Sequence, residues 1–209
     1  MTLEHTVYIV DQDEVVRQNL SALIQSEGIE TKEYTCAEAF LDDYNPDNGG
    51  CLLAGVRMPG MTGLELQKTL SERNACLGVI IMTGYGDVSM AVEAMKAGAI
   101  DFIEKPFTNQ HILARIQSCL VKSERLYIDC KRRSEAMEQL ALLSDREREV
   151  MELLVEGKHN KQIATELNIS TRTVEAHRAR IMEKLQADSL ADVVRISILS
   201  DSHADITVA

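Results

Sequence analysis

The sequence lacks the features that would send a chain into or across a membrane. No apolar run approaches the roughly 18–20 residues that a membrane span needs, and residues 1–5 carry no basic stretch ahead of an apolar one, as a signal peptide would. The five cysteines are scattered without CxxC or Cys/His spacing, which favours free thiols over a metal site. We therefore expect a cytoplasmic protein that holds no metal and no cofactor.

What the sequence does contain is 209 residues, enough for two domains, and a net charge of −11 that is unevenly distributed. Residues 1–120 hold 17 acidic against 8 basic residues. Residues 158–184 instead hold six bases against three acids. The acidity therefore belongs mainly to the first half of the chain, and it does not exclude a nucleic-acid partner for the second half.

The first 107 residues alternate short apolar runs with amphipathic stretches. The runs predict strands at 6–10, 29–34, 51–54, 78–82 and 99–103, and the stretches predict helices at 14–26, 36–44, 63–73 and 88–97. Such alternation predicts a parallel sheet with helices on both faces, in a domain over residues 1–107 that its last helix extends to about 120. The functional crevice of such a sheet lies at the carboxyl ends of the strands. The residues at those ends are Asp11, Gln12, Gly55, Thr83 and Lys105.

Residues 108–143 predict one linker helix, because no glycine or proline interrupts them. Positions 116, 119, 123, 126, 130, 133, 137 and 140 follow the 3-4 spacing of a heptad seam. Polar residues at Ser123 and Arg133 weaken that seam. An exposed linker helix and a dimeric coiled coil both remain open.

Residues 144–199 are helical in pattern throughout and predict a four-helix domain, followed by a tail at 200–209. Ser144 and Glu147 have the spacing of a capping box, which starts a helix that Gly157 ends. Further helices are predicted at 159–167, 170–185 and 189–199. A short helix, a tight turn and a longer helix with basic side chains form the helix-turn-helix arrangement of DNA-binding proteins.

The amino-acid sequence of this region closely resembles that of LuxR-type DNA-binding domains. The resemblance is carried by Leu143-Ser144-Asp145-Arg146-Glu147, Asn160-Lys161-Gln162-Ile163-Ala164 and Thr173-Val174-Glu175-Ala176-His177-Arg178. It implies that the third helix enters the major groove of double-stranded DNA, with three residues facing bases and the others reaching phosphates. The base-facing set is Glu175, Ala176 and Ala179, and the phosphate-facing set is Lys161, Arg172, Thr173, His177, Arg178, Arg180 and Lys184.

The same resemblance implies a homodimer. In LuxR-type domains the fourth helix often pairs two subunits, and here that helix is Ser189–Leu199. Leu190, Val193, Val194 and Ser197 would form its pairing surface, although some of them would instead close the core of the small domain. The linker helix is the other candidate for dimer contacts.

Residues 5–107 resemble response-regulator receivers, which have a flavodoxin-like, doubly wound, five-stranded sheet, and in particular those of FixJ-like regulators. The resemblance is carried by Val7–Asp11, Arg57–Gly63, Met82–Asp87 and Asp101–Phe107. In such receivers an aspartate at the end of the third strand accepts a phosphoryl group. An acid pair holds Mg²⁺, and a hydroxyl and a lysine contact the phosphoryl oxygens.

This chain keeps only part of that machinery. Asp11, Thr83 and Lys105 match the family, whereas Gln12 replaces the second acid and Gly55 replaces the acceptor. Two independent departures indicate natural loss rather than a single engineered change. Lys105, which lacks an acid at position 55, is expected to pair with Asp11.

We therefore expect a sequence-specific DNA-binding regulator of a two-component-like system that is not an enzyme and works without aspartyl phosphorylation. The alternative is an adaptor or anti-activator that acts by protein contact through the receiver, with a sensor or regulator protein as its partner. Three replacements for phosphate remain open. They are protein contact around the fourth helix and Phe102, oxidation of Cys119 and Cys130, and constitutive activity.

Overall fold

A computed structural model describes residues 6–46, 48–73, 75–84 and 88–201. They form two compact units, the first ending at Cys130 and the second beginning at Lys131. Parts of the predictions fall on residues 1–5, 85–87 and 202–209, which lie outside the described residues. Of the helices that the structure describes, none combines the length and apolarity needed to cross a bilayer.

The first unit is built on five parallel strands in the order β2-β1-β3-β4-β5. The strands are β1 (Thr6–Val10), β2 (Glu30–Tyr34), β3 (Cys51–Gly55), β4 (Gly78–Thr83) and β5 (Asp101–Glu104). The helices between them are α1 (Glu14–Ser26), α2 (Ala37–Asp43), α3 (Gly63–Glu72) and α4 (Val88–Lys96), and α5 (Asn109–Ala141) follows β5. The doubly wound fold is thus confirmed, with β5 displaced by one or two residues from its predicted position.

Alternating side chains on the strands fill two cores, one on each face of the sheet. On one face Ile9 and Leu53 pack with residues of α1 and α5, including Ile24 and Ile116. On the other face the neighbouring strand residues pack with α2, α3 and α4. Every residue of β3 and β4 is buried, which is why both strands appear in the sequence as runs without charged residues, apolar except for Thr83 at the end of β4.

The helix α5 serves both units, and this changes the meaning of its heptad spacing. Ile116, Cys119 and Ser123 are buried in the first unit, whereas Ala136 and Leu140 belong to the core of the second. The Ser123 hydroxyl donates to the Gly50 carbonyl and accepts from the amides of Gly50 and Gly78, both at 3.3 Å.

The start of the seam is therefore not available to another helix, and of the two open alternatives a coiled coil through Ile116, Cys119 and Ser123 is excluded. Their spacing reflects burial of one helix face in its own domain. Cys119 has no exposed surface either, so burial removes it as a surface thiol that could meet a symmetry mate.

The second unit contains α6 (Asp145–Val155), α7 (Asn160–Glu166), α8 (Thr171–Lys184) and α9 (Leu190–Asp201). The predicted capping box is present, since the Ser144 hydroxyl accepts from the Glu147 amide and the Glu147 carboxylate accepts from the Ser144 amide at 2.9 Å. The core is formed by one face of each helix together with the end of α5. This core holds α8 with its polar face outward.

Candidate nucleic-acid interface and receiver pocket

The connection between α7 and α8 is a tight turn that the local sequence specifies. Asn168 has a φ of 52°, a left-handed conformation that asparagine tolerates better than most residues. Ser170 then caps α8, because its hydroxyl accepts from the amide of Thr173 at 3.0 Å. The result is a short helix, a four-residue turn and a 14-residue helix, which is the helix-turn-helix geometry.

The helix α8 divides cleanly into a core face and an outer face. Val174 and Ile181 are buried, seven residues or two turns apart, and Leu185 continues that line. The predicted base-facing residues Glu175, Ala176 and Ala179 are all exposed, as are Arg172, Thr173 and Arg180 on the same helix. The structure therefore brings these six predicted residues together on one surface.

Three cations at this surface are unengaged. Arg172 and Arg180 on α8 and Lys161 on α7 are exposed, and within the described part of the chain none of their side chains has an ion pair or hydrogen bond. A free guanidinium or ammonium group is what a phosphate contact requires. These are the cations that the geometry leaves available for an anionic ligand.

Arg178 and His177 are only half-exposed. Arg178 donates from Nη1 to Oδ1 of Asn160 at 2.8 Å, which ties α8 to the start of α7. The Nδ1 atom of His177 is buried and has no hydrogen-bond partner among the described residues, so Nε2 is the nitrogen left for an outside ligand. Both side chains thus have part of their surface committed to the domain itself.

Lys184 departs from the predicted phosphate-facing set. Its ammonium group donates to the Glu147 carboxylate at 2.7 Å and to the Leu142 carbonyl at 3.0 Å, both within its own domain. Glu147 is only 3% exposed. The physical reason for the departure is the cost of burying a charge. An unpaired carboxylate at the buried Glu147 would be strongly unfavourable, and the Lys184 ammonium group pairs with it.

Glu147 was read from the sequence only as a capping residue, and its ion pair was missed. The hydrogen bond from Lys184, and after it those from the Ser144 backbone and hydroxyl, lower the pKa of Glu147 to about 2. Arg146 was missed as well: its Nη2 donates to the Leu167 carbonyl at 2.6 Å, at the end of α7. No local pattern reveals these pairs, because the partners lie 37 and 21 residues away.

The predicted receiver pocket forms at the carboxyl edge of the sheet. Asp11 follows β1 and is 3% exposed, Gly55 ends β3, and the buried Thr83 ends β4. Lys105 follows β5, and its ammonium group forms a hydrogen-bonded ion pair with Oδ2 of Asp11. The pairing expected from the missing acceptor is therefore present.

The space beside Gly55 is already occupied by the Asp11 carboxylate. A Cβ atom built on Gly55 would lie 2.7 Å from Asp11 Oδ2, closer than real Cβ contacts, and 3.1 Å from Cγ, tighter than most of them. Asp11 also accepts through Oδ1 from the Asp13 amide at 3.0 Å, which holds its carboxylate in place. Asp11 and Lys105 thus neutralise each other beside a position with no side chain.

The remaining groups do not make a site for Mg²⁺. Gln12 is exposed and offers only a neutral amide. Asp13 caps α1 instead, accepting at Oδ1 from the amides of Val15 at 2.9 Å and Val16 at 3.3 Å. The described residues contain no cluster of three or more side chains suited to a metal ion. A single carboxylate that is already paired with a lysine does not fit a cation that requires several oxygen ligands.

Comparison with known proteins identifies both domains. The response regulator receiver domain matches residues 7–117, and the bacterial regulatory proteins of the luxR family match residues 141–197. The transcriptional regulatory protein FixJ of Azorhizobium caulinodans is 47% identical over 194 residues, which cover 93% of this chain and 92% of that protein. The response regulator protein TodT of Pseudomonas putida is 40% identical over 191 residues, which cover 91% and 84%.

Solved structures of two response regulators are also similar to this chain over nearly its whole length. The response regulator StyR has a TM-score of 0.73 at 39% identity and covers 93% of this chain and 98% of its own. Full-length FixJ from B. japonicum has a TM-score of 0.55 at 40% identity and covers 95% and 98%. The chain therefore belongs to the LuxR/FixJ-type response regulators and is a DNA-binding transcription regulator of the two-component class.

Proposed function

We propose that the protein regulates transcription by placing α8 in the major groove of double-stranded DNA, and that it does so without aspartyl phosphorylation. In this proposal residues 1–107, extended to about 120 by the start of α5, act as a receiver-like domain. Residues 108–143 link it to the DNA-binding domain at 144–199, and residues 200–209 form a tail. The protein performs no catalytic step of its own.

The observation that carries phosphorylation independence is the environment of Gly55. The position lacks a nucleophile, and the Asp11 carboxylate already occupies the space into which an acceptor side chain would extend. Lys105, which would neutralise a phosphoryl group, is paired with Asp11. An aspartyl phosphate has neither an attachment point nor a free counter-charge there.

Mass spectrometry of the full chain tests this part of the proposal. After incubation with a small phosphodonor such as acetyl phosphate and Mg²⁺, we expect no added phosphoryl group and no change in DNA affinity. A receiver with the complete acid set, treated in parallel, serves as the positive control. A stable mass gain of one phosphoryl group on this chain would refute the proposal.

The division of labour on α8 follows from side-chain chemistry. Glu175 can accept from the amino group of a cytosine, and Ala176 and Ala179 can contact thymine methyl groups. The unengaged cations Lys161, Arg172 and Arg180 reach phosphates. Further contacts come from the side-chain atoms that are not engaged within the domain, on Thr173, Arg178 and His177. A DNA affinity, measured by gel shift, that falls steeply with salt concentration supports this assignment. An affinity that is independent of salt concentration contradicts it.

A second candidate function is favoured by the exposed apolar residues of α4. Val88, Val92 and Met95 lie along one side of this helix, and Val88 is 82% exposed. Such a surface suits protein contact, so the chain would act as an adaptor whose receiver binds a sensor or regulator protein. Replacing Arg172 and Arg180 together by glutamine separates the two candidates, because an adaptor would keep its regulatory effect in the cell and a DNA-binding regulator would lose it.

We also propose that the protein binds DNA as a homodimer through α9. Leu190 and Ile198 are exposed and Val194 is half-buried on the outer side of this helix, whereas Val193 is buried in the core. Helix-turn-helix domains commonly bind two half-sites as dimers, which requires a self-complementary surface of this kind. The predicted surface therefore keeps Leu190 and Val194 and loses Val193.

A further inference from the structure

We propose that Arg146 and Glu147 are positioning residues for DNA recognition, which set the orientation of α8 by fastening both of its ends to the first turn of α6. The inference rests on the proposed role of α8 as the helix that reads bases. It assigns to these two residues, and to Lys184 as the partner of Glu147, an effect on which DNA sequence is bound.

The carboxyl end of α8 is fastened through a single carboxylate oxygen. Oε2 of Glu147 accepts from the Lys184 ammonium group at 2.7 Å and from the Ser144 amide and hydroxyl, both at 2.9 Å. The same ammonium group donates to the Leu142 carbonyl at 3.0 Å. Since Lys184 is the last residue of α8, these contacts join the end of α8 to the start of α6.

The other end of α8 is fastened through the preceding turn. Arg146 donates from Nη2 to the carbonyl of Leu167 at 2.6 Å, and Leu167 is the C-cap residue that follows α7. A cation at the carboxyl end of a helix also interacts favourably with its dipole. Residues 168–170 then lead directly into α8, so that this contact determines where α8 begins.

Adjacent residues of α6 thus reach two points that are 17 positions apart in the chain, Leu167 and Lys184. Packing of Val174 and Ile181 in the core sets the distance of α8 from α6, but these apolar contacts are non-directional and lie between the ends of the helix. Hydrogen bonds of fixed length at both ends restrict displacements of the helix ends. A direct contact with a base tolerates only small displacements, so its strength depends on this restriction.

The experiment compares two duplexes bound by the full chain, one selected by the protein from a random pool and one of scrambled sequence. We expect Glu147→Gln to weaken binding of the selected duplex about tenfold, the equivalent of one lost base contact. Binding of the scrambled duplex and the salt dependence remain as in the wild type, because the same cations still face the phosphates. Arg146→Met has the same effect. Glu152→Gln, an exposed acid on α6, is the matched control.

Variants of Lys184 keep the proposal testable where Glu147→Gln fails to fold. Lys184→Arg preserves a cation for Glu147 and should keep the preference for the selected duplex, whereas Lys184→Met should lose it. If Lys184 instead contacts phosphate, Lys184→Met weakens both duplexes and lowers the salt slope by about 0.9. In that case Glu147→Gln strengthens both duplexes by releasing Lys184, and either result overturns the inference.

The wild type separates the inference from the function on which it rests. A wild-type chain without preference for any selected duplex removes the proposed function and the inference together. A clear wild-type preference that Glu147→Gln, Arg146→Met and Lys184→Met all retain overturns the inference alone.

Discussion

The residues around Gly55 show how the loss of one side chain is accommodated by its neighbours. Asp11 is buried and would be costly as an isolated charge, but Lys105 and the Asp13 amide satisfy its two oxygens. With no acid at position 55, the Lys105 ammonium group pairs with the Asp11 carboxylate instead, and the two opposite charges cancel each other. The receiver fold thus accommodates a glycine at position 55 with the Asp11 carboxylate paired.

We expect Gly55→Ala to destabilise the first unit by about 1–2 kcal/mol, in the range typical of overpacking. Gly55 and Gly84 both lack a positive φ, so backbone strain does not enter the comparison. The new Cβ at position 55 would press on the Asp11 carboxylate, whereas a Cβ at Gly84 meets no atom of the described residues within 4 Å. Urea denaturation measures the difference, and equal stability of Gly55→Ala and Gly84→Ala would contradict the steric account.

Glu147 gives the second unit a stability that depends on pH. Its pKa in the folded protein is about 2, below the ordinary value of 4.5, because Lys184 and Ser144 donate to the carboxylate. A lowered pKa stabilises the fold fully above the ordinary value, and the contribution disappears as the pH falls towards 2.

At pH 7 we therefore expect Glu147→Gln to lower the free energy of unfolding by about 1–3 kcal/mol, as for other hydrogen bonds to charged groups. The difference from wild type should shrink between about pH 4.5 and pH 2. Denaturation followed by circular dichroism at several pH values measures it, with Glu152→Gln as the control. A difference that is independent of pH would exclude the ion pair as its source.

At the scale of elements, α8 combines a narrow apolar face with a wide polar one. Val174, Ile181 and Leu185 suffice to hold it in the core, and this leaves most of the helix surface for a ligand. The helix α5 is the opposite case, since its two ends are buried in different cores. Apolar residues at helical spacing therefore mark one core face in α8, whereas in α5 they mark two core faces, one in each unit.

Arg180→Gln should weaken binding to any duplex and flatten the dependence of log K on log salt by about 0.9, the effect of one lost phosphate contact. The reason is that Arg180 is exposed on α8 and free of internal partners among the described residues. Lys68→Gln on α3, which removes an exposed cation from the first unit, should leave the slope unchanged. A salt titration by fluorescence anisotropy distinguishes them, and an unchanged slope for Arg180→Gln would remove it from the interface.

At the scale of the whole molecule, charge is segregated between the two units. Most of the net charge of −11 lies before residue 120, while the free cations gather on α7 and α8. Screening over about 10 Å at 0.1 M salt lets a local basic surface bind DNA although the chain as a whole is acidic. The acidic unit also disfavours non-specific binding of the receiver to DNA.

We expect Ile198→Asp to reduce self-association and to weaken binding of a two-half-site duplex at least about tenfold, because it places a charge in an apolar contact between subunits. Ile198 is 61% exposed, so the domain itself should stay folded. Val193→Ala is the matched change in the core; it should lower stability and leave self-association intact. Sedimentation and gel shifts measure both, and dimers that persist in Ile198→Asp would assign the interface to another surface.

Much of the fold could be predicted because burial leaves a clear trace in the sequence. The strands β3 and β4 are apolar except for Thr83, and the Ser144 cap marks the start of α6. The site was harder to predict. A lysine at the last turn of a helix has the same sequence whether it faces a phosphate or Glu147, so the sequence alone does not reveal the ion pair between Lys184 and Glu147.

The sequence by itself determined the fold class, the family and the absence of an acceptor at Gly55, since each depends on residue type and local spacing. The sequence also predicts the pairing of Lys105 with Asp11, which the structure contains. Only the tertiary structure decided that Asp11 fills the space beside Gly55 and that Glu147 engages Lys184, 37 positions away. Such pairs form between distant parts of the chain, and their energies depend on burial and on distances that packing alone establishes.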